Sequence, residues 1–221
     1  MIAVPITASF FEEALEEIDE ANGKADVIEL RLDFLEEVNE TILQELIEAC
    51  KKPVIVTFRA ENHGASVEST ERLFLLQKAI DFGAHFIDIE FGCDEDSFRE
   101  IVSSKGLSGI ILSHHNFEKT PVFPKLLKLV EKMNAVEGAD ILKVVTFAVD
   151  EADNDTILSL IPFVKKLGKP IIAFCMGPNG KKSRVESVKM GAFLTFASLV
   201  KGEESASGQM TIEEMRKGLE K

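Results

Sequence analysis

A lone lysine in an apolar run is the sharpest chemical feature of this sequence. Lys143 stands in ILKVVTFAV, where a charged ammonium is costly unless it is paired or has lost its proton. Desolvation together with Arg31 and Arg59 would favour the neutral amine, the form that attacks a carbonyl to make a Schiff base. The competing reading is a lysine that carries its head to solvent from a strand end. A second signal is parity. In VIELRLD, Glu29, Arg31 and Asp33 alternate with Ile28, Leu30 and Leu32, so three charges leave one face of a strand whose other face is apolar. An exposed edge strand would look the same, but a closed barrel has no edges. The pattern returns in Thr57 and Arg59, in Asp88 and Glu90, and in Ser113 and His115. Adjacent His114 and His115 must point to opposite faces, so only one can join an interior site. A strand-end histidine suits general acid and base work, because its ordinary pKa lies near neutrality; a hydrogen-bonded structural role is the alternative.

Two glycine-bearing loops complete the inventory. MGPNGKKSR (176–184) resembles a phosphate loop, yet its glycine and lysine spacing is not that of a Walker motif. EESASGQM (203–210) follows the last apolar run, where barrel enzymes bind anions through backbone N–H groups and short hydroxyl side chains. An anionic substrate group would suit it, with Arg184 as a bidentate partner. No His or Cys pair has metal-ligand spacing, so neither metal nor cofactor is expected.

Positioning these groups requires a repeating scaffold. Eight short β-branched or apolar runs recur, at residues 2–7, 27–33, 54–60, 86–91, 109–115, 141–147, 170–176 and 194–199, with amphipathic helical segments between them. Strict alternation in 221 residues predicts an α/β chain folded as a single-domain (β/α)8 TIM barrel over 1–221. A doubly wound sheet would need fewer strands or a glycine-rich turn after the first, and ASFFEEA has no glycine. Asn154 or Asp155 would cap the sixth helix, and Gly83, Gly138 and Gly168 would end helices. With 25 basic and 38 acidic residues the formal charge is -13, which repels nucleic acid and anionic membranes and leaves small molecules or proteins as partners. Cys50, Cys93 and Cys175 fit no metal or redox spacing and read as reduced packing residues of a cytoplasmic protein. The amino terminus turns acidic within a dozen residues, unlike a signal or transit peptide, and no apolar run reaches the ~20 residues of a membrane span.

Taken in order, ELRLD (29–33), TFR (57–59), IDIE (87–90), SHHNFEKTP (113–121), Lys143, MGPNGKKSR (176–184) and SASGQ (205–209) resemble type I 3-dehydroquinate dehydratase over nearly the whole chain. The resemblance implies a lyase of the shikimate pathway that dehydrates 3-dehydroquinate to 3-dehydroshikimate by syn elimination. Lys143 would form the Schiff base, and His115 would remove the proton and then protonate the departing hydroxyl. Arg184, Ser205 and Gln209 would hold the substrate carboxylate. Glu29, Arg31 and Arg59 would bind ring hydroxyls or line the pocket, with Asp33 and Asp88 in support. Apolar residues on the last helices would permit a homodimer.

The sequence departs from the family pattern after Arg59. Where the family reads R-x-x-x-E-G-G, this chain has His63 in place of the glutamate that orients the catalytic histidine. Either Glu61 takes over from two residues upstream or His63 hydrogen bonds in its place. Ser207 also replaces a proline in the last motif. Two other readings compete: a small class I aldolase, which would share the lysine but cleave a sugar phosphate, and an inactive barrel that only binds.

Overall fold

The computed structural model describes residues 1–59, 69–202 and 204–220. Strands and helices alternate as β1 (Ile2–Ile6), α1 (Phe11–Lys24), β2 (Val27–Arg31), α2 (Glu40–Ala49), β3 (Val54–Thr57), α3 (Ser69–Asp81), β4 (Phe86–Glu90), α4 (Glu95–Ser104), β5 (Gly109–Asn116), α5 (Phe123–Asn134), β6 (Ile141–Phe147), α6 (Ala152–Leu158), α7 (Leu160–Lys166), β7 (Ile171–Met176), α8 (Lys181–Lys189), β8 (Thr195–Phe196) and α9 (Ile212–Leu219). All eight strands belong to one sheet, in the order β7-β6-β5-β4-β3-β2-β1-β8. The chain divides into two compact units, Val4–Ile110 and the combination of Met1–Ala3 with Ile111–Lys221.

In the unit Val4–Ile110, β2, β3 and β4 pair in parallel, with Arg31 opposite Thr57 and Thr57 opposite Asp88. The helices form because their apolar residues recur at helical spacing. α1 buries Ala14, Ile18 and Ala21 and leaves Glu12, Glu13, Glu16 and Glu20 exposed, while half-buried Glu17 accepts the Thr7 N–H. Asn39 and Asp94 cap α2 and α4 by accepting the backbone N–H groups of Ile42 and Ser97. β2 stops two residues earlier than its alternation predicts. Leu32–Phe34 form a 3-10 turn, so Asp33 does not continue the strand face; its carboxylate instead folds back onto Arg31.

In the other unit, β5, β6 and β7 pair in parallel over six residues each. β8 is held on both sides: Thr195 and Phe196 pair with Ile2 and Ala3 of β1, and the Phe193 N–H donates to the Ile171 carbonyl at 2.7 Å. The helix expected between β6 and β7 is two helices. Pro162 has no N–H for the Leu158 carbonyl and its ring would clash there, so the chain breaks at Ser159 and restarts. α6 starts at Ala152, ahead of both Asn154 and Asp155, so they lie inside the helix rather than capping it. Asn154 is buried and donates to the carbonyls of Glu151 and Asn179. α9 carries a full capping box between Thr211 and Glu214. Gly138 is not a helix stop, because α5 has already ended at Asn134; Gly83 and Gly168 do follow helix ends, with φ of 87° and 79°.

Candidate active site

Register brings the chemistry of β5 and β6 together. Ser113 lies opposite Lys143, and His115 opposite Val145, so Ser113, His115 and Lys143 share one face of the sheet. His115 sits two residues beyond the level of Lys143, roughly 6.6 Å along the strand direction. His114 leaves from the opposite face, and its half-buried ring is held below the usual histidine pKa by desolvation. The Phe117 ring stacks on His115 with centroids 5.8 Å apart.

Lys143 is 4% exposed, and its Nζ lies 4.5 Å above the Phe196 ring of β8. Phe196 in turn meets Phe174 of β7, with ring centroids 6.0 Å apart and planes 58° apart. Phe174 carries a guanidinium. The Arg184 guanidinium lies 4.6 Å from that ring centroid. Arg184 is 1% exposed, and among the described residues its Nε and Nη2 have no hydrogen-bond partner. Burial pushes its pKa down to about 10. A buried guanidinium whose Nε and Nη2 donors are empty is a fork preset for a planar anion.

The helix carrying Arg184 is fastened to β7. Ser183 Oγ accepts the Cys175 N–H at 2.8 Å and donates to the Gly180 carbonyl, while the Ser183 N–H reaches Asn154 Oδ1. Gly180 packs so closely on Cys175 that a Cβ there would lie 2.6 Å from the Cys175 carbonyl oxygen. The loop after β8 is tied to the same strand. The Gly177 N–H donates to the Ser207 carbonyl, and Gly208, with φ of 74°, presses backbone to backbone on Gly177, where any Cβ would collide. In that loop Gln209 Oε1 accepts from both the N–H and the hydroxyl of Ser205, at 2.7 and 3.1 Å. Two of the three expected carboxylate ligands are therefore bonded to each other. Beside them opens a cavity of about 370 Å3 lined in part by Lys181, Ser207 and Gln209.

The unit Val4–Ile110 holds a different kind of cluster. Thr57 Oγ1 donates to Glu29 Oε1 at 2.8 Å. Arg31 grips Asp33 through Nε and Nη2 at 3.0 and 2.6 Å and covers the Phe34 ring. Burial lowers the Arg31 pKa, but the hydrogen bond to Asp33 and the charges of Glu29, Asp33 and Asp88 outweigh it, and the net direction is up. Arg59 reaches Asp88 at 2.8 Å and Glu90 at 3.2 Å. Glu29, Asp33 and Asp88 are all buried.

The structure thus gathers His115, Lys143 and Arg184 with Ser205 and Gln209 in one unit, and Glu29, Arg31, Asp33, Arg59 and Asp88 in the other. Glu61 and His63 lie outside the described residues. Phe174 and Phe196 were not singled out by the sequence, where apolar rings in strands read as core. The signal that could have found them is parity: Phe174 lies opposite Val145, two residues from Lys143, and so shares its face. Among the described residues no group of three or more His, Cys, Asp or Glu is placed to hold a metal ion, and no helix is long and apolar enough to cross a membrane.

The family model for type I 3-dehydroquinase matches residues 2–221. The chain belongs to the type I 3-dehydroquinase family. Its relatives include 3-dehydroquinate dehydratases of Pyrococcus abyssi, 39% identical over 98% of this chain and 95% of that protein, and of Methanocaldococcus jannaschii, 36% identical over 98% and 96%. Among solved structures, the type I 3-dehydroquinate dehydratase of Clostridium difficile superposes with a TM-score of 0.88, at 27% identity over 99% of this chain and 90% of that one. The type I 3-dehydroquinase fold class is the (β/α)8 barrel, as the eightfold alternation predicts. Members of the type I 3-dehydroquinase family are dehydratases, and the chain is accordingly a lyase.

Proposed function

We propose that residues 1–221 act as one catalytic domain that converts 3-dehydroquinate to 3-dehydroshikimate through an imine on Lys143. The observation that carries this reading is the buried Lys143 amine on the same strand face as His115. Amine attack on the substrate ketone and loss of water would give a protonated imine. That cation is an electron sink and acidifies the adjacent C–H. His115 takes that proton and the C–H electron pair moves into the imine to give a neutral enamine; the enamine then passes a pair back, forming the new C=C bond as the β-hydroxyl leaves as water after receiving a proton from His115, which makes the elimination syn. Hydrolysis of the imine then frees product and amine. The Clostridium difficile relative carries covalently modified comenic acid, which supports covalent chemistry in the family.

Arg184, Ser205 and Gln209 hold the substrate carboxylate in this proposal. The empty Nε and Nη2 of Arg184 support its part; Ser205 would redirect its donors from Gln209 Oε1 to the ligand, and Gln209 would donate through its amide N–H groups. Glu29, Arg31 and Arg59 bind the ring hydroxyls, with Asp33 and Asp88 holding the two arginines. Glu61 or His63 orients His115, and alanine at both positions changes the pH–rate profile if either does so. Cytoplasmic residence and pairing as a homodimer belong to the same proposal.

The test is borohydride reduction in the presence of 3-dehydroquinate, followed by intact-mass and peptide mapping. An adduct confined to Lys143 is expected. Active protein that yields no adduct removes the imine route.

A further inference from the structure

We infer that Phe174 and Phe196 form an aromatic partition that positions the two site cations separately, Phe174 setting the plane of Arg184 for anion capture and Phe196 stabilising positive charge on Lys143. The inference rests on the proposed imine reaction. Phe174 and Phe196 are 3% and 6% exposed, so water does not weaken either cation–π contact. Each cation has its own ring, at 4.6 Å for Arg184 and 4.5 Å for Lys143, and the two rings meet at a tilt of 58°, toward the edge-to-face arrangement that aromatic pairs favour over a face-to-face sandwich.

The two rings do different work because the cations do. A guanidinium with one face covered by Phe174 can offer only its in-plane N–H groups to a partner, and the Nε and Nη2 donors that remain empty lie in that plane. Phe174 therefore acts on binding. The nitrogen above Phe196 carries positive charge in the protonated imine, loses it when the C–H electron pair moves in to give the enamine, and regains it as the enamine passes a pair back to expel the hydroxyl. A ring with negative potential on its face lowers the energy of that cation without offering a proton acceptor. Phe196 therefore acts on the chemical step. Neither ring donates or accepts a proton, so both are positioning residues.

Site-specific incorporation of phenylalanine carrying one, two or three ring fluorines tests this, since fluorine drains the face potential while scarcely changing ring volume. At position 174 the KM for 3-dehydroquinate should rise with each fluorine, by about tenfold at three, the scale of a desolvated cation–π contact, while kcat holds. At position 196 kcat and the yield of borohydride adduct at saturating substrate should fall stepwise while KM holds. A purely packing role would give no dependence on fluorine number, and a flat series at either position, with the Lys143 adduct still forming in unsubstituted protein, overturns the inference. Failure of unsubstituted protein to form the adduct overturns instead the imine reading beneath it.

Discussion

Arg31 and Arg184 are the same side chain used in two opposite ways. Arg31 spends its Nε and Nη2 on Asp33, and its pKa is raised. Arg184 keeps the same two atoms empty and is pushed down to about 10. Both lie against phenylalanine rings, so aromatic contact does not distinguish them; the counter-ion does. An internally paired arginine has fixed geometry and little left to offer a charged ligand. An arginine buried without an anion carries a desolvation cost that an incoming carboxylate relieves. The unit Val4–Ile110 thus stores rigidity, and the unit containing Arg184 stores affinity.

The largest test of that contrast is Arg184→Met. It should cut kcat/KM for 3-dehydroquinate roughly 100- to 1,000-fold, the loss of two charge-assisted hydrogen bonds, while leaving the urea midpoint unchanged or higher, because an unsatisfied buried cation has been removed. Arg31→Met sharpens the contrast from the other side. It strands the buried Asp33 carboxylate and should lower stability by about 3–5 kcal/mol, with Asp33→Asn recovering part of the loss in the double variant. A urea midpoint lowered by Arg184→Met as much as by Arg31→Met would break the comparison.

A smaller effect is expected at Thr57→Val, which removes the hydroxyl bonded to Glu29. The cost should be about 1 kcal/mol in urea unfolding, with a modest rise in KM. Smallest is a pH effect at His114. Desolvation holds its folded pKa below the ordinary 6.5, so between those two values the unfolded chain binds more protons and stability rises with pH. Stability should therefore fall as the solution is acidified from 6.5 through the folded value, and His114→Gln should flatten that slope in denaturation curves taken across the window.

The face on which Lys143 and His115 sit was legible because a strand has a period of two, and a charge that breaks an apolar alternation announces its side. The same rule placed Glu29 and Arg31. It failed at Asp33, where a carboxylate two residues from an arginine could bend the chain into a 3-10 turn instead of extending it. The capping expectation at Asn154 and Asp155 failed because α6 begins earlier, at Ala152, which leaves Asn154 to bridge α6, the Pro178–Gly180 turn and α8. The Arg184 environment was half legible. Its residue type suggested an anion partner, but that Phe174 rather than a carboxylate would lie against it depends on which residues of β7 and α8 meet, and spacing along one chain does not carry that. Nor could the pairing of Ser205 with Gln209 be read, since each is an ordinary loop residue until the loop closes on itself.

The grip of β1 on β8 has a consequence for synthesis. Ile2 and Ala3 leave the ribosome well ahead of their partners Thr195 and Phe196, which follow roughly 10 to 40 s later at ordinary elongation rates. Until then β8, the Phe196 ring and the final pairing edge of β1 do not exist as a structure, and the Ile2 and Ala3 backbone stays open to strangers. A chaperone that shields nascent β1, or a slow codon run placed after rather than before residue 196, should raise the yield of native protein.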